Sequence, residues 1–182
     1  TSLSQGTALG TGYISSNYTF NVATTTDGGD TWVLRTAGLT SSLYSATIRP
    51  PSSLVTVGSG GLILQSTNGG KRWSFGMNEV GSGLTATIRA TAFQDSMRGI
   101  LVGANGLVAR TGDGGESWTE STAPVAAELR SVHYFGAQNV VAGGSSASSF
   151  DDVSPAILLS SNGGASWRNL ARSLSNTFDI TS

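Results

Sequence analysis

Histidine occurs once, at His133, and cysteine not at all. Thiolate nucleophiles, disulfides and cysteine-based zinc sites are therefore absent together, and a three-histidine metal centre is impossible. Any Ser–His–acid triad would rest on His133 alone. Within SVHYF (131–135) that residue alternates with apolar neighbours, which points to a packed or channel-facing strand position rather than a catalytic one. Glycoside hydrolysis would need two carboxylates converging on a cleft, commonly about 5 to 10 Å apart, or a Tyr nucleophile with an arginine cluster. Outside the repeated turns described below, Asp95, Glu120, Glu128 and Asp179 are the carboxylates to examine, and none sits in a catalytic motif. These residues predict a chain that is not an enzyme and that carries no cofactor and no metal.

Ten basic residues against eleven acidic ones give a net charge of −1, so no global field draws the chain to nucleic acid or anionic lipid. Nine of the ten are Arg, the side chain suited to planar, bidentate contact with carboxylates, so a local arginine surface is the basic site to look for. No apolar run approaches the roughly 20 residues of a membrane span, which predicts a soluble chain that does not itself cross a membrane. It starts at Thr1, with no Met or signal peptide before it, and so reads as processed or trimmed. The sequon Asn17-Tyr18-Thr19 would matter only in a secretory compartment.

The elements that position these residues follow from composition and repetition. With 182 residues, 25 Gly and only 12% charged residues, the chain is expected to be one all-β domain of many short strands joined by tight turns. One eight-residue pattern recurs four times: TTDGGDTW (25–32), STNGGKRW (66–73), TGDGGESW (111–118) and SSNGGASW (160–167). It reads Ser/Thr, any residue, Asp/Asn, Gly, Gly, two variable residues, Trp, and it contains every Trp of the chain: Trp32, Trp73, Trp118 and Trp167. The expected role is a hairpin lock. Asp27, Asn68, Asp113 and Asn162 would accept backbone N–H groups, the glycines would supply positive φ, and the Trp would pack between sheets. The clusters lack the alternating oxygen ligands and distal Glu of a calcium loop, and the Gly pairs lack the context of a phosphate cradle.

The tryptophans are 41, 45 and 49 residues apart, the length of a four-stranded propeller blade. The expected fold is a β-propeller of four-stranded antiparallel blades carrying four Asp-box repeats. It occupies residues 1–182 as a single domain, with repeats at about 1–36, 41–78, 84–121 and 126–170. The first repeat lacks an innermost strand, and residues 173–182, with Phe178, have the register of one. They either close a four-bladed ring or belong to the next blade of a six- to eight-bladed propeller.

The segment ATAFQDSMRGILVGANGLVARTGDGGESWTE (90–120), followed by LRSVHYFGAQNVVAGG (129–144), resembles the Asp-box (BNR-like) repeat of the photosystem II stability and assembly factor family. Phe93, Asp95, Gly99, Val102, Gly103, Gly106, Arg110, Thr111, Asp113, Gly114, Gly115 and Trp118 stand in that family's blade positions. The resemblance covers all four repeats and is closest in the third. It implies a non-catalytic scaffold or assembly factor in the thylakoid lumen or periplasm, or on a cell surface. Its partners would be protein subunits of a membrane complex, bound partly through an arginine-rich surface. Arg89 and Arg130 hold equivalent places in successive innermost strands and are the candidates for that surface. In the second blade the equivalent is Tyr44, and Arg49, displaced by five residues, is the further partner-binding candidate there.

The insertion GGSSASSFDDVSP (143–155) reads as a long loop able to reach a partner through Phe150, Asp151 and Asp152. Asp-boxes also occur in sialidases and some glucan hydrolases, and the box is evidence of fold rather than activity. The alternative is therefore an Asp-box glycoside hydrolase, sialidase-like, or a glycan-binding propeller.

Overall fold

The structure is a computed structural model and describes residues 6–14, 17–36, 41–49, 51, 53–75, 84–149 and 152–170. Among these residues the chain is all-β. Its strands are β1 (Gly6–Ile14), β2 (Asn17–Thr25), β3 (Val33–Thr36), β4 (Leu43–Arg49), β5 (Ser53–Gly58), β6 (Ile63–Ser66), β7 (Ser74–Phe75), β8 (Ile88–Phe93), β9 (Gly99–Gly103), β10 (Leu107–Thr111), β11 (Thr119–Thr122), β12 (Glu128–Tyr134), β13 (Val140–Ser149), β14 (Asp152–Ser160) and β15 (Arg168–Asn169). Each strand pairs antiparallel with its sequence neighbour, giving one three-stranded sheet, β1-β2-β3, and three four-stranded ones, β4–β7, β8–β11 and β12–β15. The innermost strands β4, β8 and β12 lie side by side, and β1 packs beside β4. This is the blade architecture of a propeller. Residues 173–182, expected to close a ring or open another blade, lie outside the described residues.

The sheets are held face to face by alternation along the strands. In β9, Ile100 and Val102 turn toward the fourth sheet and join Leu129, Val140 and Leu158, while Leu101 turns toward Val55, Val57 and Ile63 of the second. All of these side chains are fully buried. A blade covered on both faces reads as a continuous apolar run, as GILVG does.

Each Asp-box closes the turn from the third to the outermost strand of its blade by the same side-chain bonds. In the third, the Thr111 hydroxyl donates to Asp113 Oδ1 at 2.7 Å and accepts the Gly115 N–H at 2.8 Å, while the Ser117 N–H donates to Asp113 Oδ1 at 2.9 Å. Asn162 does the same in the fourth, accepting from the Ser160 hydroxyl at 2.9 Å and the Ser166 N–H at 2.9 Å. Both glycines of every box have positive φ. The Trp sits just before the outermost strand rather than inside it.

The boxes also interlock the blades. A Cβ on Gly70 would come within 2.4 Å of Thr24 Cγ2 in the first sheet, one on Gly115 within 2.9 Å of Gln65 Nε2 in the second, and one on Gly164 within 2.5 Å of Ile100 Cδ1 in the third. Gly29 of the first box meets only its own indole, and Trp32 is 48% exposed where Trp118 is 8% exposed. The four tryptophans therefore do not share one environment.

The 143–155 insertion is not a loop. β13 and β14 run on through it as a paired hairpin, Ser145 opposite Pro155 and Ser149 opposite Asp152. Ser- and Asp-rich composition suggests a loop, but the backbone pairing requires no particular side chain.

Candidate functional site

Three innermost strands carry the same irregularity. The pairing of β4 with β5 slips between Leu43 and Ser45, that of β8 with β9 between Ile88 and Ala90, and that of β12 with β13 between Leu129 and Ser131. Each slip leaves one extra residue on the inner strand: Tyr44, Arg89 and Arg130. A bulge of this kind bends the strand and re-aims the extra side chain. The partner strand makes room with a glycine. A Cβ on Gly58, Gly103 or Gly144 would lie 2.0 Å from the carbonyl oxygen of Ser42, Thr87 or Glu128 respectively. The Ser59 and Ala104 amides bond the first two of those carbonyls at 2.8 and 2.9 Å.

The three bulges place their side chains at one end of the inner strands. The Arg89 guanidinium carbon lies 4.3 Å from the centroid of the Tyr44 ring, and its Nε donates to Glu128 Oε1. One residue thus spans three blades. Burial alone would weaken the guanidinium's hold on its proton, but the Glu128 hydrogen bond and charge outweigh it and raise the pKa above the ordinary arginine value. Arg130 is exposed, as are Ser131 and His133 on the same strand, and Tyr44 is 42% exposed. The result is a polar, aromatic and cationic face in which Arg89 is positioned by its neighbours and Arg130 is open to solvent. It can bind a planar anion or stack a partner side chain.

Arg49 does not belong to this face. It closes the far end of β4, where Nη1 donates to the Gly114 carbonyl of the third box and to Gln65 Oε1 at 3.3 Å. Its displacement by five residues carries it along the strand, away from the Tyr44 bulge. Phe150 and Asp151 lie outside the described residues, and Asp152 is placed only as the first residue of β14. In the sequence Glu128 stands out only as a carboxylate to examine and Tyr44 only as the second-blade equivalent; that both meet Arg89 was not foreseen. Their signal was positional: Tyr44 follows Leu43 as Arg89 follows Ile88, and Glu128 immediately precedes Leu129.

The other carboxylates are committed elsewhere or stand alone. Asp95 accepts the Met97 and Arg98 amides at 2.8 and 2.7 Å and pairs with Arg98 at 2.8 Å. The Arg98 and Met97 amides hold its pKa below the ordinary aspartate value. Glu120 is exposed on β11, and Asp179 lies outside the described residues. No group of three or more His, Asp or Glu side chains that could hold a metal ion is present among the described residues. No helix long and apolar enough to cross a membrane occurs among the described residues.

Comparison with known proteins supplies the context. In fold the chain is similar to the GH74 enzyme of Niastella koreensis, with a TM-score of 0.71 at 17% identity over 92% of this chain and 28% of that one. It is also similar to YCF48 from Cyanidioschyzon merolae, with a TM-score of 0.53 at 22% identity over 75% of this chain and 44% of that one. The chain thus spans less than half the length of these solved structures, and at such identities the likeness is one of fold. No curated protein matches the sequence. The family model described as photosynthesis system II assembly factor YCF48 matches residues 76–177, more than half of the chain, and takes in the third and fourth sheets with their Asp-boxes. With the boxes, the repeat length and the blade topology in agreement, the chain belongs to the photosynthesis system II assembly factor YCF48 family.

Proposed function

We propose that this chain is a non-catalytic binding scaffold, an assembly or stability factor for a photosystem-type membrane protein complex. Its family membership supports the assembly role. The bulge-borne face is the surface we assign to partner binding, with Arg130 as the open guanidinium and Arg89, braced by Glu128 and Tyr44, as its rigid neighbour. Preorganised, partly buried arginines beside an aromatic ring are the residue types that dominate protein interfaces. The compartment consistent with this role is the thylakoid lumen or the periplasm.

The fold likeness to a GH74 enzyme is the observation behind a glycosidase reading. Against it, Glu128, the carboxylate nearest the bulge face, is engaged by Arg89, and Asp95 by Arg98 and two amides.

The test is affinity capture from detergent-solubilised photosynthetic membranes, with photosystem II subunits quantified by mass spectrometry. The wild-type chain should enrich them, and Arg130→Ala should weaken capture by about tenfold, or ~1.4 kcal/mol, without changing the fold. No enrichment, together with release of reducing sugar from polysaccharides, would establish the glycosidase instead.

A further inference from the structure

The seams between successive sheets are built from equivalent positions but are closed differently. Between the second and third sheets, Arg49 and Gln65 both reach into the third box: Arg49 donates to the Gly114 carbonyl and Gln65 Nε2 to the Gly115 carbonyl at 2.8 Å. One blade further on, the counterparts are Gln94 and Arg110. Gln94 turns instead to the carbonyls of Gly136 and Ala137. The Gly164 carbonyl is occupied by the Ser121 hydroxyl at 3.1 Å and the Trp167 indole at 3.0 Å. Arg110 is exposed, and its guanidinium has no hydrogen bond or ion pair among the described residues.

This difference leaves an open cleft of about 270 Å³ between the third and fourth sheets, lined by Arg110 with Arg98, Tyr134, Gln138 and Asn162. It lies at the opposite end of β8 and β12 from the bulges, about 15 Å away at ~3.3 Å per strand residue. No acidic side chain lines it. Arg98 is neutralised by Asp95, so one uncompensated guanidinium remains.

We infer that this cleft is a second binding site, one that takes a single carboxylate carried by a peptide segment. The free Arg110 fork matches a carboxylate in bidentate geometry. The Gln138 amide and the Tyr134 hydroxyl supply further donors around it. The Tyr134 hydroxyl, pushed up to about 12 by burial, is protonated at neutral pH as an ordinary tyrosine is. The volume falls below the ~300 Å³ at which small-molecule pockets begin and suits one or two side chains. A phosphate would bring up to two negative charges where the cleft offers one unmatched positive charge.

The site is independent of the bulge face, and its test reads Arg110 directly. The ¹⁵N-labelled chain is titrated with three end-defined peptides while the arginine Nε–H and the Gly112 and Gly163 amide resonances are followed. One carries an internal Glu between capped ends, one replaces that Glu by Gln, and one has no acidic side chain but a free C-terminal carboxylate. Saturable shifts with either carboxylate peptide and none with the Gln peptide support the site, and which of the two acts identifies a side-chain or a terminal source. Arg110→Gln, the residue that Gln65 represents one blade earlier, should weaken the response at least tenfold with an otherwise unchanged spectrum; Arg110→Lys should recover part of it. Equal response to the Gln peptide, a stronger response to inorganic phosphate, or wild-type binding by Arg110→Gln would overturn the inference.

Discussion

At the scale of single residues, the boxes use Asp and Asn interchangeably for geometry but not for charge. Hydrogen bonds from the Thr25 and Thr31 side chains hold the Asp27 carboxyl far below the ordinary aspartate value. For Asp113, burial acts to raise the pKa, but the Ser117 hydroxyl and amide and the Thr111 hydroxyl outweigh it and bring it to about 2 from 3.8. A carboxyl with a depressed folded pKa stabilises the fold at any pH above its unfolded value. That contribution drains away as pH falls through the folded value. Thermal stability should therefore be flat from pH 7 to about 5 and decline between about 4 and 2. Asp113→Asn, which installs the residue found at 68 and 162, should change stability at pH 7 by less than about 0.5 kcal/mol and make the acid decline shallower. An unchanged acid limb in calorimetry would contradict the assignment. Gly103→Ala tests the bulge. With a Cβ 2.0 Å from the Thr87 carbonyl, it should lose about 2–3 kcal/mol in urea denaturation, since backbone must move to admit it.

At the scale of elements, what was legible in the sequence was what is local. An Asp-box satisfies itself within eight residues, so its pattern announces the turn, and short continuous apolar runs such as GILVG announce a strand buried on both faces. The bulges were not legible, because an extra residue exists only relative to the strand opposite. Gly58, Gly103 and Gly144 are their sole trace in the sequence. The hairpin at 143–155 was hidden for a related reason, since its pairing is made by backbone groups under loop-like side chains. The tryptophans show the same dependence on neighbours. Each occupies one motif position, but burial is decided by the adjacent blade. Trp118→Ala should cost about 3–5 kcal/mol and Trp32→Ala about 1 kcal/mol or less in matched chemical denaturation. Equal losses would show that the indoles act within their own turns and not between sheets.

At the scale of the whole molecule, the innermost strands carry the candidate face at one end and the Arg110 cleft at the other. Sequence reasoning gave Arg89 and Arg130 equivalent places because repeats superimpose, and both stand at the bulges; Arg49, five residues from Tyr44, stands at the other end of the same strand. The central claim is that partners of this YCF48-family chain dock on the bulge end. Hydrogen–deuterium exchange measured with and without solubilised photosystem II assembly complexes tests it most directly. The account predicts slowed exchange confined to residues around Tyr44, Arg89 and Arg130, lost in the Arg130→Ala chain. Protection confined to the outermost strands β7, β11 and β15, or no protection while the complex is bound, would contradict it.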